Sequence, residues 1–118
     1  MSVEDRNEVI DAYFEALDQA NPDIVQEALA DDFVYQSPGG EFEGGEGIRQ
    51  YIEEVRTMSN STHEISLRLH DEQASVAEGR VTGDTADGEP VQVRFADVFE
   101  FDEDDAKLTR CAVYLNDA

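Results

Sequence analysis

A chain of 118 residues with 29 Asp and Glu against eight Lys and Arg carries a formal charge of −21. That length makes one domain, residues 1–118, burying roughly two-thirds of its unfolded surface. So negative a field repels nucleic acid and anionic membranes, and neither is an expected partner.

Disorder is the first reading of such charge, but the chain is 40% apolar and holds four Tyr and six Phe, most at helix or strand periods. A folded domain with an acidic, lysine-poor skin is expected; Lys107 is its one lysine. Such a skin suits a high-salt, halophilic source, where screening over ~3 Å at 1 M salt relieves self-repulsion. The acidic opening Met1–Asp5 does not resemble a signal peptide, and no run approaches a membrane span. Cys111 has no second cysteine to pair with. A cytoplasmic location follows as the expectation.

Ser2 and Asp5 open a helix, with Val9, Ile10, Tyr13, Phe14 and Leu17 on one face. Asn21-Pro22-Asp23 caps a second, carrying Ile24, Val25, Ala28 and Leu29 and closed by Asp31-Asp32. Phe33–Gln36 reads as a short strand and Pro38–Gly45 as a glycine-bracketed loop. A third helix holds Ile48, Tyr51, Ile52 and Val55. Beyond Asn60 the period changes to two. Ile65, Leu67 and Leu69 mark one strand face, and a second strand runs from Ala74 to about Thr82. A hairpin at Gly83–Glu89 leads into "VRFADVFEF", and a last strand spans Leu108–Leu115. The order predicts an α+β domain with helices on one face of a curved sheet.

"ADDFVYQSP", "GGEGIRQYI" and "FADVFEFDEDDAKLTRCAVY", taken in this order, resemble the nuclear transport factor 2-like superfamily, in its SnoaL-like and ketosteroid isomerase-like branch. The resemblance covers residues 5–116. It implies a cone-shaped fold, three N-terminal helices packed on a curved, mainly antiparallel sheet. It also implies a pocket against the concave face and dimerisation through the convex one. The fold serves isomerases, cyclases, dehydratases, hydrolases and non-catalytic adaptors, so it does not fix the activity.

In ketosteroid isomerase, a worked case of pKa tuning, a tyrosine and a protonated aspartic acid hold the oxyanion while a second aspartate moves the proton. Tyr13 in "DAYFEAL" matches that tyrosine, and Asp97 in "FADVFEF" the protonated acid. Ser37 in "YQSPGG" falls at the base. A serine hydroxyl does not take a carbon-bound proton at neutral pH without a base of its own. The resemblance therefore does not extend to steroid isomerisation.

Asp97 sits on an apolar strand face between Phe95 and Phe99. A carboxylate there must pair or keep its proton. Either it donates a hydrogen bond to a ligand oxygen, or it bonds a backbone group or an arginine such as Arg80 and fixes the sheet. Tyr13 is either a second polar contact or a core tyrosine. Phe33, Tyr35, Ser37, Phe95 and Phe99 are the expected ligand-lining residues. His63 and His70, seven apart on one strand, should face opposite ways and hold no common metal. His63 falls near a rim, and His70 on the exposed or convex side. Asp102–Asp105 lacks a calcium-loop frame, Gly44–Gly47 a phosphate-loop frame, and Cys111 reads as a small buried apolar group. No metal or cofactor is expected. The expected ligand is a small, largely apolar molecule with a carbonyl or hydroxyl, turned over by acid–base chemistry in a homodimer. The rival is a non-catalytic interaction module with an incidental pocket.

Overall fold

Ile10, Tyr13, Phe14 and Leu17 recur at helical spacing and form the buried face of α1 (Val3–Asp18). The computed structural model describes residues 3–104 and 107–116; Ser2, the expected cap, lies outside them. The helix ends in a Schellman-type turn: Ala20 is left-handed at φ 51°, and the Asn21 N–H donates to the Ala16 carbonyl at 2.9 Å.

The second helix is shorter than its apolar pattern predicts. It is one turn, α2 (Asp23–Gln26), because Leu29 already belongs to β1 (Leu29–Ser37). There the Ala28 carbonyl accepts the Leu108 N–H at 2.7 Å, and Leu29 pairs with Leu108. Part of the expected glycine loop is also a strand, β2 (Gly40–Glu43), which pairs antiparallel with β1. The third helix, α3 (Gly44–Gln50), follows β2 and runs into a π-helical turn at Tyr51–Val55. Only α1 and α2 are therefore N-terminal to the sheet.

The remaining strands are β3 (Ser59–His70), β4 (Ala74–Asp84), β5 (Pro90–Phe101) and β6 (Leu108–Asn116). One six-stranded sheet runs in the order β2-β1-β6-β5-β4-β3. Its pairs are antiparallel except β1 with β6, which makes the sheet mixed. Tyr35, Cys111, Phe99, Ser75 and His70 form one inner row across five strands. The next is Val113, Asp97, Ala77 and Arg68, and then Leu115, Phe95, Gly79 and Ile65. Helices α1 and α3 close over these rows, burying Tyr13, Phe14, Phe33, Ile48 and Phe99.

A bulge in β3 changes the expected facing of its side chains. Ile65 pairs with Gly79 but Leu67 with Glu78, which leaves Ser66 as the extra residue. Ile65 consequently faces inward, while Leu67 and Leu69 are 42% and 55% exposed on the outer side. The three do not share a face. The same shift brings His63 and His70 to the inner side, contrary to the parity of their spacing. Gly79 permits the crowding: a Cβ there would lie 1.9 Å from the Glu64 carbonyl oxygen.

Candidate functional site

Asp97 is 2% exposed, and its Oδ1 finds no hydrogen-bond partner among the described residues. Strand alternation places it inward, opposite the small Ala77 on one side and Val113 on the other. Burial pushes its carboxyl well above the ordinary value, so the protonated form is favoured. Arg80 is not its partner. That arginine faces outward and pairs with Glu64 at 3.4 Å. The strut reading of Asp97 therefore loses the group it would anchor.

Tyr13 and Tyr35 are fully buried, their hydroxyls 2.8 Å apart. The Tyr35 ring lies 4.8 Å from that of Tyr51 at the π-helical turn. Burial raises all three phenols, keeping them neutral. It also raises the Cys111 thiol, which sits fully buried in the row beside Phe99.

A second titratable group comes from β3. His63 Nδ1 lies 2.5 Å from Asp18 Oδ1, at the last residue of α1. Asp18 also accepts the His63 backbone N–H at 3.0 Å and the Ser61 hydroxyl at 2.8 Å. Ser61 in turn accepts from Arg56 at 2.9 Å, and Arg56 donates to the Leu17 carbonyl at 2.9 Å. With Nδ1–H donated to Asp18, the basic nitrogen is Nε2, which has no partner among the described residues. Burial lowers the His63 pKa although Asp18 pulls it upward, so the imidazole is neutral at pH 7. Its ring lies between those of Phe14 and Phe95, at 4.9 and 5.3 Å.

Asp97, the three tyrosines and His63 share one cavity of about 170 Å³. Its polar lining is Asp97, Tyr13, Tyr35, Tyr51, His63 and Arg56. Leu17, Met58, Val81, Phe95 and Val113 supply apolar wall, and the exposed Thr57 and Leu115 mark its open end. A dry cavity of roughly 150 Å³ holds benzene, so the enclosed part of this one is about the size of a single ring. It falls short of the ~300 Å³ at which ligand pockets usually begin, yet it is not packed shut. A larger groove, about 320 Å³, lies on the outer face among Glu64, Glu78, Arg80 and Arg94. It holds none of the buried titratable groups.

Of the residues expected to line a ligand site, Tyr35 and Phe95 do so together with Asp97 and Tyr13. Phe33 and Phe99 lie in the core behind the cavity. Ser37 is elsewhere. Its hydroxyl turns the β1–β2 hairpin, accepting the Gly39 N–H at 3.1 Å and donating to the Gly40 carbonyl at 3.3 Å. The sequence reading missed Asp18, Ser61 and Arg56, and no local motif joins positions 18, 56 and 61–63.

Among the described residues no three His, Cys, Asp or Glu side chains gather as a metal site. His70 bonds Ser75 Oγ at 2.7 Å beside the buried Arg6, remote from Asp18. The Asp102–Asp105 run turns between β5 and β6, and its last member lies outside the described residues.

A family model described as the SnoaL-like domain matches residues 10–111. Among solved structures, an NTF2-like protein of unknown function from Burkholderia pseudomallei superposes with a TM-score of 0.84 at 17% identity, over 98% of this chain and 92% of that one. An LEH-like epoxide hydrolase from M. tuberculosis gives 0.77 at 23% identity, over 96% and 84%. A protein of ketosteroid isomerase-like fold from Catenulispora acidiphila, in complex with trimethylamine, gives 0.79 at 19%, over 91% and 84%. At these identities the likeness is one of fold. No curated protein matches the chain in sequence.

Proposed function

Because the chain belongs to the SnoaL-like domain family, we propose that it binds a small, largely apolar molecule bearing a carbonyl or hydroxyl and acts on it by acid–base chemistry. The supporting observation is a base and an acid on one cavity, His63 held by Asp18 and Asp97 kept protonated. Desolvation moves the two in opposite senses. It favours neutral imidazole, ready to accept a proton at Nε2, and neutral carboxylic acid, ready to donate to an oxygen. His63 removes a proton from carbon, hydroxyl or water, while Asp97 hydrogen-bonds or protonates the ligand oxygen. Tyr13 and Tyr35 polarise the same wall. Isomerisation, cyclisation, dehydration and hydrolysis all use this pair of steps. The M. tuberculosis neighbour is an epoxide hydrolase, and epoxide opening by water needs both.

Exchange of α-protons of single-ring ketones in D₂O tests the base directly. Wild type should accelerate exchange, and His63→Gln should lose roughly 10²–10⁴-fold of that acceleration. Exchange no faster than in buffer across cyclic and aryl ketones would favour the second reading, a non-catalytic module. The small cavity is the observation on that side.

The proposal includes a homodimer, a high-salt source and a cytoplasmic location. The outer row Val98, Val76 and Leu69 is apolar across three strands and supports the dimer, with Ala112 next in the row but already buried. The −21 charge supports the habitat. No described helix is long and apolar enough to cross a membrane.

A further inference from the structure

Arg56 stands apart from most arginines of this acidic chain. Arg49, Arg68, Arg80 and Arg110 each meet a carboxylate, with Asp23, Asp11, Glu64 and Glu100 as partners. Arg56 meets none within ion-pair distance among the described residues. Its two hydrogen bonds go to neutral oxygens, the Leu17 carbonyl and the Ser61 hydroxyl. Those bonds fix the guanidinium while using two of its five N–H donors. Asp18, the nearest acid in the network, is already occupied by Ser61 and by both donors of His63.

Arg56 also lines the cavity, together with apolar wall, with His63, whose imidazole burial keeps neutral, and with Asp97, whose protonated form burial favours. Its charge reaches into that space, lowering the proton affinity of both His63 and Tyr51. A half-buried cation held by neutral oxygens and facing a low-dielectric pocket is complementary to an anion. The cavity volume suits an anion about the size of one ring.

We propose that the natural ligand is a small carboxylate, with its carboxylate on Arg56, its body against Leu17, Val81 and Phe95, and its reacting oxygen toward Asp97. This inference rests on the acid–base reading of the same cavity and adds the ligand's charge. The chain's −21 repels anions at long range. At ~0.15 M salt that repulsion is screened beyond about 8 Å, whereas contact with Arg56 is not.

Benzoate and benzamide have nearly one shape and differ in charge, so they make a direct test. Binding is followed by titrating the His63 ring signals by NMR at fixed salt. Benzoate should bind wild type about tenfold or more tightly than benzamide, as expected for a charge-assisted pair. Arg56→Gln should bring the ratio near one, chiefly through loss of benzoate affinity. Arg56→Lys, which keeps the charge but not the fork, should retain part of the preference. Equal affinity in wild type, or a preference that survives Arg56→Gln, overturns the carboxylate inference and leaves the acid–base reading standing. If neither compound moves His63 at millimolar concentration, both fall together.

Discussion

Asp18, the last residue of α1, receives Nδ1 of His63 at 2.5 Å and the same residue's backbone N–H at 3.0 Å. One carboxylate thus fixes both the path of β3 and the orientation of the ring it carries. Ser61 completes the grip with a 2.8 Å hydrogen bond, so Asp18 accepts from three donors within three residues. A base held this way keeps Nε2 free of Asp18 and its ring fixed on the cavity lining.

Asp18→Asn should lower the His63 pKa further, because it removes the attraction that opposes desolvation. The sign extends to stability. A histidine depressed below 6.5 contributes stability present above that pH and lost as pH falls through its folded pKa. The variant should therefore lose stability at least as fast as wild type between 6.5 and wild type's folded value, and go on losing it below that value, where wild type levels off. NMR titration of the His63 ring checks the shift. A His63 pKa unchanged or raised in Asp18→Asn would show that Asp18 does not act on the imidazole.

Asp97 should be a group the fold carries at a loss. Its Oδ1 has no described partner, so Asp97→Leu leaves no buried atom stranded and removes an acid from an apolar row. The variant should be more stable by roughly 0.5–2 kcal/mol, with weakened ligand binding. The raised folded pKa fixes the pH dependence: protonated Asp97 is tolerated, and the penalty develops as pH rises from the ordinary carboxyl range through the folded value. The gap between Asp97→Leu and wild type should widen from pH 4 toward neutrality, as matched thermal melts would record. A drop in stability for Leu, with binding intact, would make the aspartate a strut.

Asp97 was legible because a single strand states the conflict: its alternation demands an apolar residue and supplies a carboxylate. Tyr13 was legible from helical spacing in the same way, and so were α1, β4 and β6. Asp18–His63 was not, since its partners lie 45 residues apart and each is ordinary in its own segment. The expected face of Ile65, Leu67 and Leu69 failed for a different reason. Period-two reading assumes an unbroken ladder, and Ser66 breaks it. Helix pattern misled at Ala28 and Leu29, where pairing with Leu108 overrode a capped apolar run.

Gly79 links that bulge to the site. Gly79→Ala would drive its Cβ against the Glu64 carbonyl, a contact of 1.9 Å that backbone must relieve. The change should destabilise the domain by about 1–3 kcal/mol, the usual range for overpacking. It should also disturb His63, which pairs with Val81 two residues further along β4. Chemical denaturation and the His63 ring signals report the two effects. Stability equal to wild type would mean that the strands can part at no cost and that the bulge does not set the register.

Salt should stabilise this chain well beyond the ordinary. With 29 acids against eight bases, folding brings like charges together, and screening contracts from about 10 Å at 0.1 M to about 3 Å at 1 M. The melting temperature should climb between about 0.05 and 3 M potassium chloride, steeply at first as the field is screened. A flat profile would remove the halophilic reading and leave an acidic protein adapted to low salt.

Assembly can be tested on the outer sheet face. Leu69, 55% exposed, ends the apolar row that runs from Val98 through Val76, beside an Ala112 that is already buried. Tyr114, 57% exposed, begins the adjacent row through Ala96 and Glu78 to Leu67. Helices cover only the inner face, so this surface meets water or a second copy. A two-fold contact would bury the same rows on both subunits. Val98→Glu places a carboxylate in the apolar row, with its side chain directed away from the cavity. It should convert a dimer to a monomer with the His63 signals preserved, because Asp97 and Phe95 face the other way. Light scattering in high salt at tens of micromolar reads the mass. A wild-type mass of 13.2 kDa, that of one chain, would reject the dimer, and a Val98→Glu protein that stays dimeric would move the interface off this face.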